Sequence, residues 1–172
     1  IAINYKIRLK IILEALNRFK GLPHRQEKLS ISNRIICIND SKATSFESSL
    51  QSLKNYKNIF WIVGGLPKIG DKFFLDKLQD NIIKAYIIGK NTDFFKKQLR
   101  KKIDFIVSNN LKNAVLKIIK DVRRIRHFNN FITTKYTILF SPAAASFDQF
   151  KNFEDRGDEF KKLIYKMRSS IY

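Results

Sequence analysis

The stretch Arg34-Ile35-Ile36-Cys37-Ile38-Asn39-Asp40-Ser41-Lys42-Ala43-Thr44-Ser45-Phe46-Glu47 decides the fold. Its first half is an apolar run bounded by polar residues, hydrophobic enough to lie centrally in a sheet covered on both faces. The second half turns polar at once. Phe46, Leu50 and Leu53 then fall at helical spacing, and Thr44 with Glu47 reads as a capping box for the helix they line. A strand that delivers Asp40 to its carboxyl end and passes through a short polar turn into an amphipathic helix is the building unit of an α/β domain.

Working outward, Leu29-Ser30-Ile31-Ser32 forms a companion strand, joined tightly around Asn33. Upstream, between Lys6 and Lys20, Ile12, Leu16 and Phe19 give an amphipathic helix that Gly21 and Pro23 terminate. Downstream, Ile59-Phe60-Trp61-Ile62-Val63, Ala85-Tyr86-Ile87-Ile88-Gly89, Asp104-Phe105-Ile106-Val107-Ser108 and Thr137-Ile138-Leu139-Phe140 are strands separated by helical patterns. His127-Phe128-Asn129-Asn130 reads as a surface loop. The alternation predicts a doubly wound, mostly parallel sheet with helices on both faces. Ligands of such sheets bind beyond the carboxyl ends of the strands, and Asp40, Gly64 and Ser141 each follow a strand directly.

The 172 residues, 44% of them hydrophobic, suffice for one ordinary core. No apolar run reaches the length of a bilayer span, and the amino terminus lacks a secretory pattern, so a cytoplasmic protein off the membrane is expected. The single cysteine, Cys37, sits within a strand and excludes an internal disulfide or a cysteine metal cluster. A net charge of +19 ordinarily points to a polyanion. Here the lysines are spread along helical faces, as in Lys96-Lys97-Gln98-Leu99-Arg100-Lys101-Lys102, and no nucleic-acid motif accompanies them, so no specific nucleic-acid partner is expected.

Three polar stretches carry the chemistry. Asn39 to Thr44 sets a carboxylate, a lysine and a hydroxyl at a strand end and helix start, where free N–H groups favour phosphate or a substrate carboxylate. Any one of these residues alone would read as a helix cap or a solvated lysine. Gly21-Leu22-Pro23-His24-Arg25 is a stiff turn presenting a histidine and an arginine. Arg25 suits phosphate or a ribose oxygen, whereas His24 reads equally as a histidine hydrogen-bonded across a domain boundary. Ser141-Pro142-Ala143-Ala144-Ala145-Ser146-Phe147-Asp148-Gln149-Phe150, continuing to Gly157, keeps a tight small-residue turn and sets Ser146 near the next helix start, where a hydroxyl and free amides can take a carboxylate. Gly64-Gly65-Leu66-Pro67-Lys68 is a weaker signal, readable as a plain turn.

Together these stretches resemble the carboxyl-terminal domain of the Mur ligases, the ATP-dependent amide ligases of peptidoglycan synthesis, and most resemble the branch that adds D-glutamate. The resemblance covers about Leu16 to Leu163, with the middle of the chain matching mainly in pattern. It implies a Rossmann-like domain over residues 21–172, preceded by a connecting helix or the end of a central ATPase domain over residues 1–20. By this resemblance Arg25, Asp40 and His24 face the nucleotide, Asp40 at the ribose. Lys42 has the catalytic position at the reaction centre, and Thr44, Lys68, Ser146, Phe147 and Phe153 line the D-glutamate site. The implied partners are D-glutamate, ATP and UDP-N-acetylmuramoyl-L-alanine, in a bacterial cytoplasm, with the chain a monomer. Two departures stand out: Lys72 separates Asp71 from Phe73, where the family runs Asp-Phe, and Ala144 replaces a frequent cysteine.

No Gly-x-x-Gly-Lys-Thr/Ser phosphate loop occurs in the chain. The family resemblance places that loop, and the binding of ATP with Mg2+, mainly on a central domain, so this chain is expected to carry the glutamate site and one wall of the nucleotide site without catalysing ligation, and to hold no metal itself. Two alternatives stay open at this point: another ligase of the superfamily, adding a diaminoacid or extending folate with glutamate, and a basic RNA- or surface-binding module on a degenerate ligase fold.

Overall fold

In the computed structural model, which describes residues 4–30, 34–128 and 134–167, six strands form one sheet in the order β1-β2-β6-β3-β4-β5. These are β1 (Glu27–Ser30), β2 (Ile35–Asn39), β3 (Ile59–Gly64), β4 (Ile82–Ile88), β5 (Phe105–Asn109) and β6 (Tyr136–Phe140). β2, β6, β3, β4 and β5 run parallel, and β1 pairs antiparallel at the edge. The helices are α1 (Leu9–Arg18), α2 (Phe46–Asn55), α3 (Thr92–Leu99), α4 (Leu111–Phe128) and α5 (Phe153–Lys166). The expected mostly parallel α/β sheet is the one observed, Rossmann-like and doubly wound.

Strand alternation builds two cores. Phe60 and Ile62 of β3 point to the face covered by Ala114, Val115 and Ile118 of α4 and Phe160 and Ile164 of α5. Ile59, Trp61 and Val63, on the opposite side of the same strand, pack with Leu53 of α2 and Phe95 and Leu99 of α3. Each central strand is therefore apolar on both faces, which is why it reads as an uninterrupted hydrophobic run. Cys37 is fully buried in the first core, and burial pushes its thiol well above the ordinary value, so it behaves as a small apolar side chain.

Several local expectations shift. β4 starts at Ile82, three residues before the expected Ala85. α4 extends through His127 and Phe128, two residues expected in a surface loop; Asn129 and Asn130 lie outside the described residues, as does the turn at Asn33. The amphipathic pattern before Gly21 does form α1, but no residue of that helix is buried, and Leu9, Leu13 and Leu16 face outward.

The cap of α2 is also displaced. Ser45, not Thr44, is the N-cap, and its hydroxyl accepts from Ser48 N–H at 3.3 Å, while Phe46 N–H donates to Asp71 Oδ2 at 3.0 Å. Asp71 reaches back from the loop after β3 because Phe73, two residues on, is stacked on Phe46 with ring centroids 4.4 Å apart. The extra Lys72 is accommodated by pointing to solvent between these two anchors. Two amide donors at the start of α2, those of Phe46 and Ser48, are thus taken by the protein's own acceptors, which leaves fewer N–H groups there for an anion.

Candidate functional site

β6 lies between β2 and β3, so the turns that leave these three strands at Asp40, Ser141 and Gly64 are neighbours along one sheet edge. The registers hold them level: Asn39 pairs with Phe140, and Ile62 pairs with the same residue from the other side. Trp61 Nε1–H donates to Ser141 O at 2.7 Å and Gly64 N–H to Pro142 O at 2.9 Å, which fastens the β3 and β6 ends together.

The polar side chains at this edge divide into two groups. One group is buried and fully engaged. Asp40, 4% exposed, accepts from Ser52 Oγ at 2.6 Å, Ser141 Oγ at 2.8 Å and Gln26 N–H at 3.2 Å. Burial raises its pKa, partly offset by these donors and by Arg25. Arg156, 1% exposed, donates from Nε to Ser41 Oγ at 3.1 Å, from Nη1 to Ala144 O at 3.0 Å and from Nη2 to Ser41 O at 2.8 Å. Desolvation pushes its pKa down to about 10, so it stays charged near neutrality. Ser41 Oγ in turn donates to Phe153 O at 2.7 Å. The turns after β2 and β6 and the start of α5 are therefore tied to one guanidinium.

His24 belongs to this engaged group. The ring is 5% exposed; Nδ1 lies 3.1 Å from Asn39 Nδ2, and Nε2 is 3.7 Å from Asp158 Oδ1. Asn39 Nδ2 is also 3.1 Å from Glu27 Oε2 and 3.2 Å from Gly157 O. The ring lies directly on Gly157, where a Cβ would collide with Nδ1, so the glycine at the fifth position of α5 is a packing requirement. The sequence reading set His24 at the nucleotide or across a domain boundary; the structure turns it inward, bonded within this domain.

The second group is open. Ser146 is 2% exposed, yet its hydroxyl has no hydrogen-bond partner among the described residues. Thr44 and Lys68 likewise have no side-chain partner, and Arg25 has no side-chain hydrogen bond. Arg25, Gln26, Asp40, Lys42, Thr44 and Ser48 line a cleft of about 410 Å³. Lys42 Nζ sits 3.8 Å from the centroid of the Phe153 ring, which joins the β2–α2 turn to the head of α5. Phe147 is 70% exposed, so it is not a core ring, and Phe153 is only partly buried.

One further expectation is corrected. Ser146 is not at a helix start: α5 begins at Phe153 with Asn152 as its cap, accepting from Asp155 N–H at 2.7 Å. Ser146 instead opens a tight turn in which its carbonyl accepts from Gln149 and Phe150 N–H.

Sequence reading missed Asn39 and Arg156 as organisers. Asn39 was legible as the polar end of an apolar strand, whereas a helical arginine reads as solvated.

Asp40 gives a measurable pH signature. Because burial raises its folded-state pKa above the ordinary 3.8, its ionisation opposes folding: its contribution is complete below the unfolded pKa and lost as pH rises through the folded one. Asp40→Asn keeps the shape and cannot ionise. Thermal midpoints of the two chains between about pH 3 and 7 should converge or cross in the variant's favour as pH rises; parallel profiles would exclude the effect.

The class defined by this fold and edge is a Rossmann-like domain with cations and hydroxyls beyond its parallel strands. Comparison with known proteins narrows it. No family model matches the chain, but it is 39% identical over 166 residues to the UDP-N-acetylmuramoylalanine--D-glutamate ligase of Wolbachia sp. subsp. Brugia malayi (strain TRS), an alignment covering 96% of this chain and 32% of the relative. The ligases of the same name from Rickettsia felis and Rhizobium meliloti are 39% and 38% identical over 154 and 151 residues. The chain spans about a third of the length of these curated relatives. Over that third it is a homologue of the D-glutamate-adding Mur ligases, as its motifs indicate.

Proposed function

We propose that this chain is the amino-acid-accepting domain of a longer ATP-dependent ligase that joins D-glutamate to UDP-N-acetylmuramoyl-L-alanine in the cytoplasm of a bacterium. The observation that carries the reading is the division at the sheet edge: the scaffold residues Asp40, His24, Asn39 and Arg156 are satisfied internally, while Arg25, Thr44, Lys68 and Ser146 keep free donors. D-glutamate brings two carboxylates that need such donors, and a triphosphate needs cations. Residues 21–172 would form this domain, with α1 and what precedes it linking to the remainder.

In this reading, ATP phosphorylates the carboxylate of UDP-N-acetylmuramoyl-L-alanine and leaves as ADP. The amine of D-glutamate then attacks the acyl carbon, an amide bond forms, the C–O bond to phosphate breaks, and an amine proton is lost. Lys68, Ser146 and Thr44 would hold the D-glutamate carboxylates beside Phe147 and Phe153, so that the amine is presented in one orientation. Lys42, fixed over Phe153, would place its positive charge beside the acyl phosphate and offset the charge that develops as the amine attacks. Arg25 would hold the nucleotide at the cleft, with Asp40 close behind it and His24 setting the geometry of the turn.

Among the described residues no group of three His, Cys, Asp or Glu could hold a metal ion, and Asp40 already accepts three hydrogen bonds. In this reading magnesium is held mainly by the rest of the longer protein. Among the described residues no helix is long and apolar enough to cross a membrane.

The test is ADP release by the full-length protein with all three substrates. Release that requires both D-glutamate and UDP-N-acetylmuramoyl-L-alanine is expected. Release that is indifferent to D-glutamate, or that prefers a diaminoacid, would reassign the site.

A further inference from the structure

We infer that Asp148 and Gln149 form a strap that fixes the Ser146–Phe147 turn across the carboxyl ends of β4 and β5, which makes Asp148 a positioning residue for the amino-acid side of the site. The inference rests on the reading of this turn as part of the D-glutamate pocket.

The turn needs an external anchor. Its own bonds, from Gln149 and Phe150 N–H to Ser146 O, close it without fixing where it points. On its amino-terminal side it is pinned to the β3 loop, where Leu66 and Ala145 exchange two backbone hydrogen bonds of 2.9 Å. On the far side the attachment comes from side chains. Asp148 Oδ2 accepts from Lys90 N–H at 2.9 Å, just beyond β4, and Gln149 Nε2 donates to the carbonyl of Asn109, the last residue of β5, at 3.0 Å. The segment from Pro142 to Gln149 thus lies across the ends of β3, β4 and β5 in turn.

The packing around Gly89 agrees independently. Its φ of +87° is in the region that favours glycine, and a Cβ there would collide with Asp148 Oδ2. The carboxylate therefore occupies the space a side chain at position 89 would fill. Asn91 Nδ2–H donates to Gly65 O at 3.0 Å, so the β4 turn that receives Asp148 also steadies the loop leading to Lys68. Asp148 also offsets the desolvation of the Arg156 guanidinium, so its charge is felt at the hub of the edge. Through this strap one carboxylate governs where both Ser146 and Lys68 stand, without touching the ligand.

The experiment is steady-state ADP release by the full-length protein with D-glutamate and ATP varied separately, on wild type, Asp148→Ala, Asp148→Asn and Gln149→Ala, each first checked by thermal melting. Asp148→Ala is expected to raise the KM for D-glutamate by about tenfold and to leave that for ATP within about twofold. Asp148→Asn keeps an oxygen for Lys90 N–H and should restore most of the loss, while Gln149→Ala should raise the same KM by about threefold. A folded Asp148→Ala with an unchanged KM for D-glutamate overturns the strap, and so does an Asp148→Asn as impaired as Asp148→Ala. If Asp148→Ala does not fold, an unchanged KM in Gln149→Ala overturns it. A wild type whose ADP release ignores D-glutamate removes the ligase reading and the strap's role with it, an outcome separate from failure of the variants alone.

Discussion

Replacing Arg156 with alanine should cost the domain about 3 to 5 kcal/mol of folding stability. The side chain is 1% exposed and donates to Ser41 Oγ, Ser41 O and Ala144 O, acceptors that would be left inside the protein with no donor and no water. The cavity adds to that loss, because the guanidinium lies against the Phe140 ring, 5.8 Å from its centroid. For a domain whose total stability is about 5 to 15 kcal/mol, this is a large fraction. Arg156→Lys should recover little, since an ammonium cannot span three acceptors set in a fork. Urea denaturation decides the matter: a free energy within about 1 kcal/mol of wild type would mean that the two turns and the start of α5 hold together without their hub.

Lys68→Ala should show the opposite profile. Lys68 is exposed and has no side-chain partner among the described residues, so its loss should change stability by no more than about 0.5 kcal/mol. In the full-length protein, on the proposed reading, loss of a charge-assisted bond to a D-glutamate carboxylate should cost about 1.5 to 3 kcal/mol, a rise in the D-glutamate KM of roughly 10- to 150-fold with the ATP KM little changed. Equal effects on the two substrates would move Lys68 out of the amino-acid pocket. The contrast with Arg156 separates a group held open for a ligand from one consumed by the fold.

Lys96 pairs with Asp93 at 2.8 Å on the exposed face of α3, and Lys84 pairs with Asp121 at 3.0 Å across the sheet and α4. Ions screen the attraction of such surface lysines for polyanions.

What the sequence determined by itself is local and periodic. Apolar runs of three to five residues ending at Ile38, Val63 and Phe140 marked three central strands. The polar residues that follow marked where the strands leave the sheet, since a buried strand changes character there. The residue types of Lys42, Thr44, Lys68 and Ser146 were legible for the same reason. The tertiary structure decided which strand lies between which, and β6 between β2 and β3 is what brings Ser141 to Asp40 across 101 positions. It also decided that Ser45 and not Thr44 caps α2, that His24 turns inward, and that Arg156 is a hub 115 positions from the Ser41 it holds. Hydrophobic rhythm repeats within a few residues and survives in one dimension, whereas whether a polar group is satisfied depends on what the folded chain brings within about 3 Å of it.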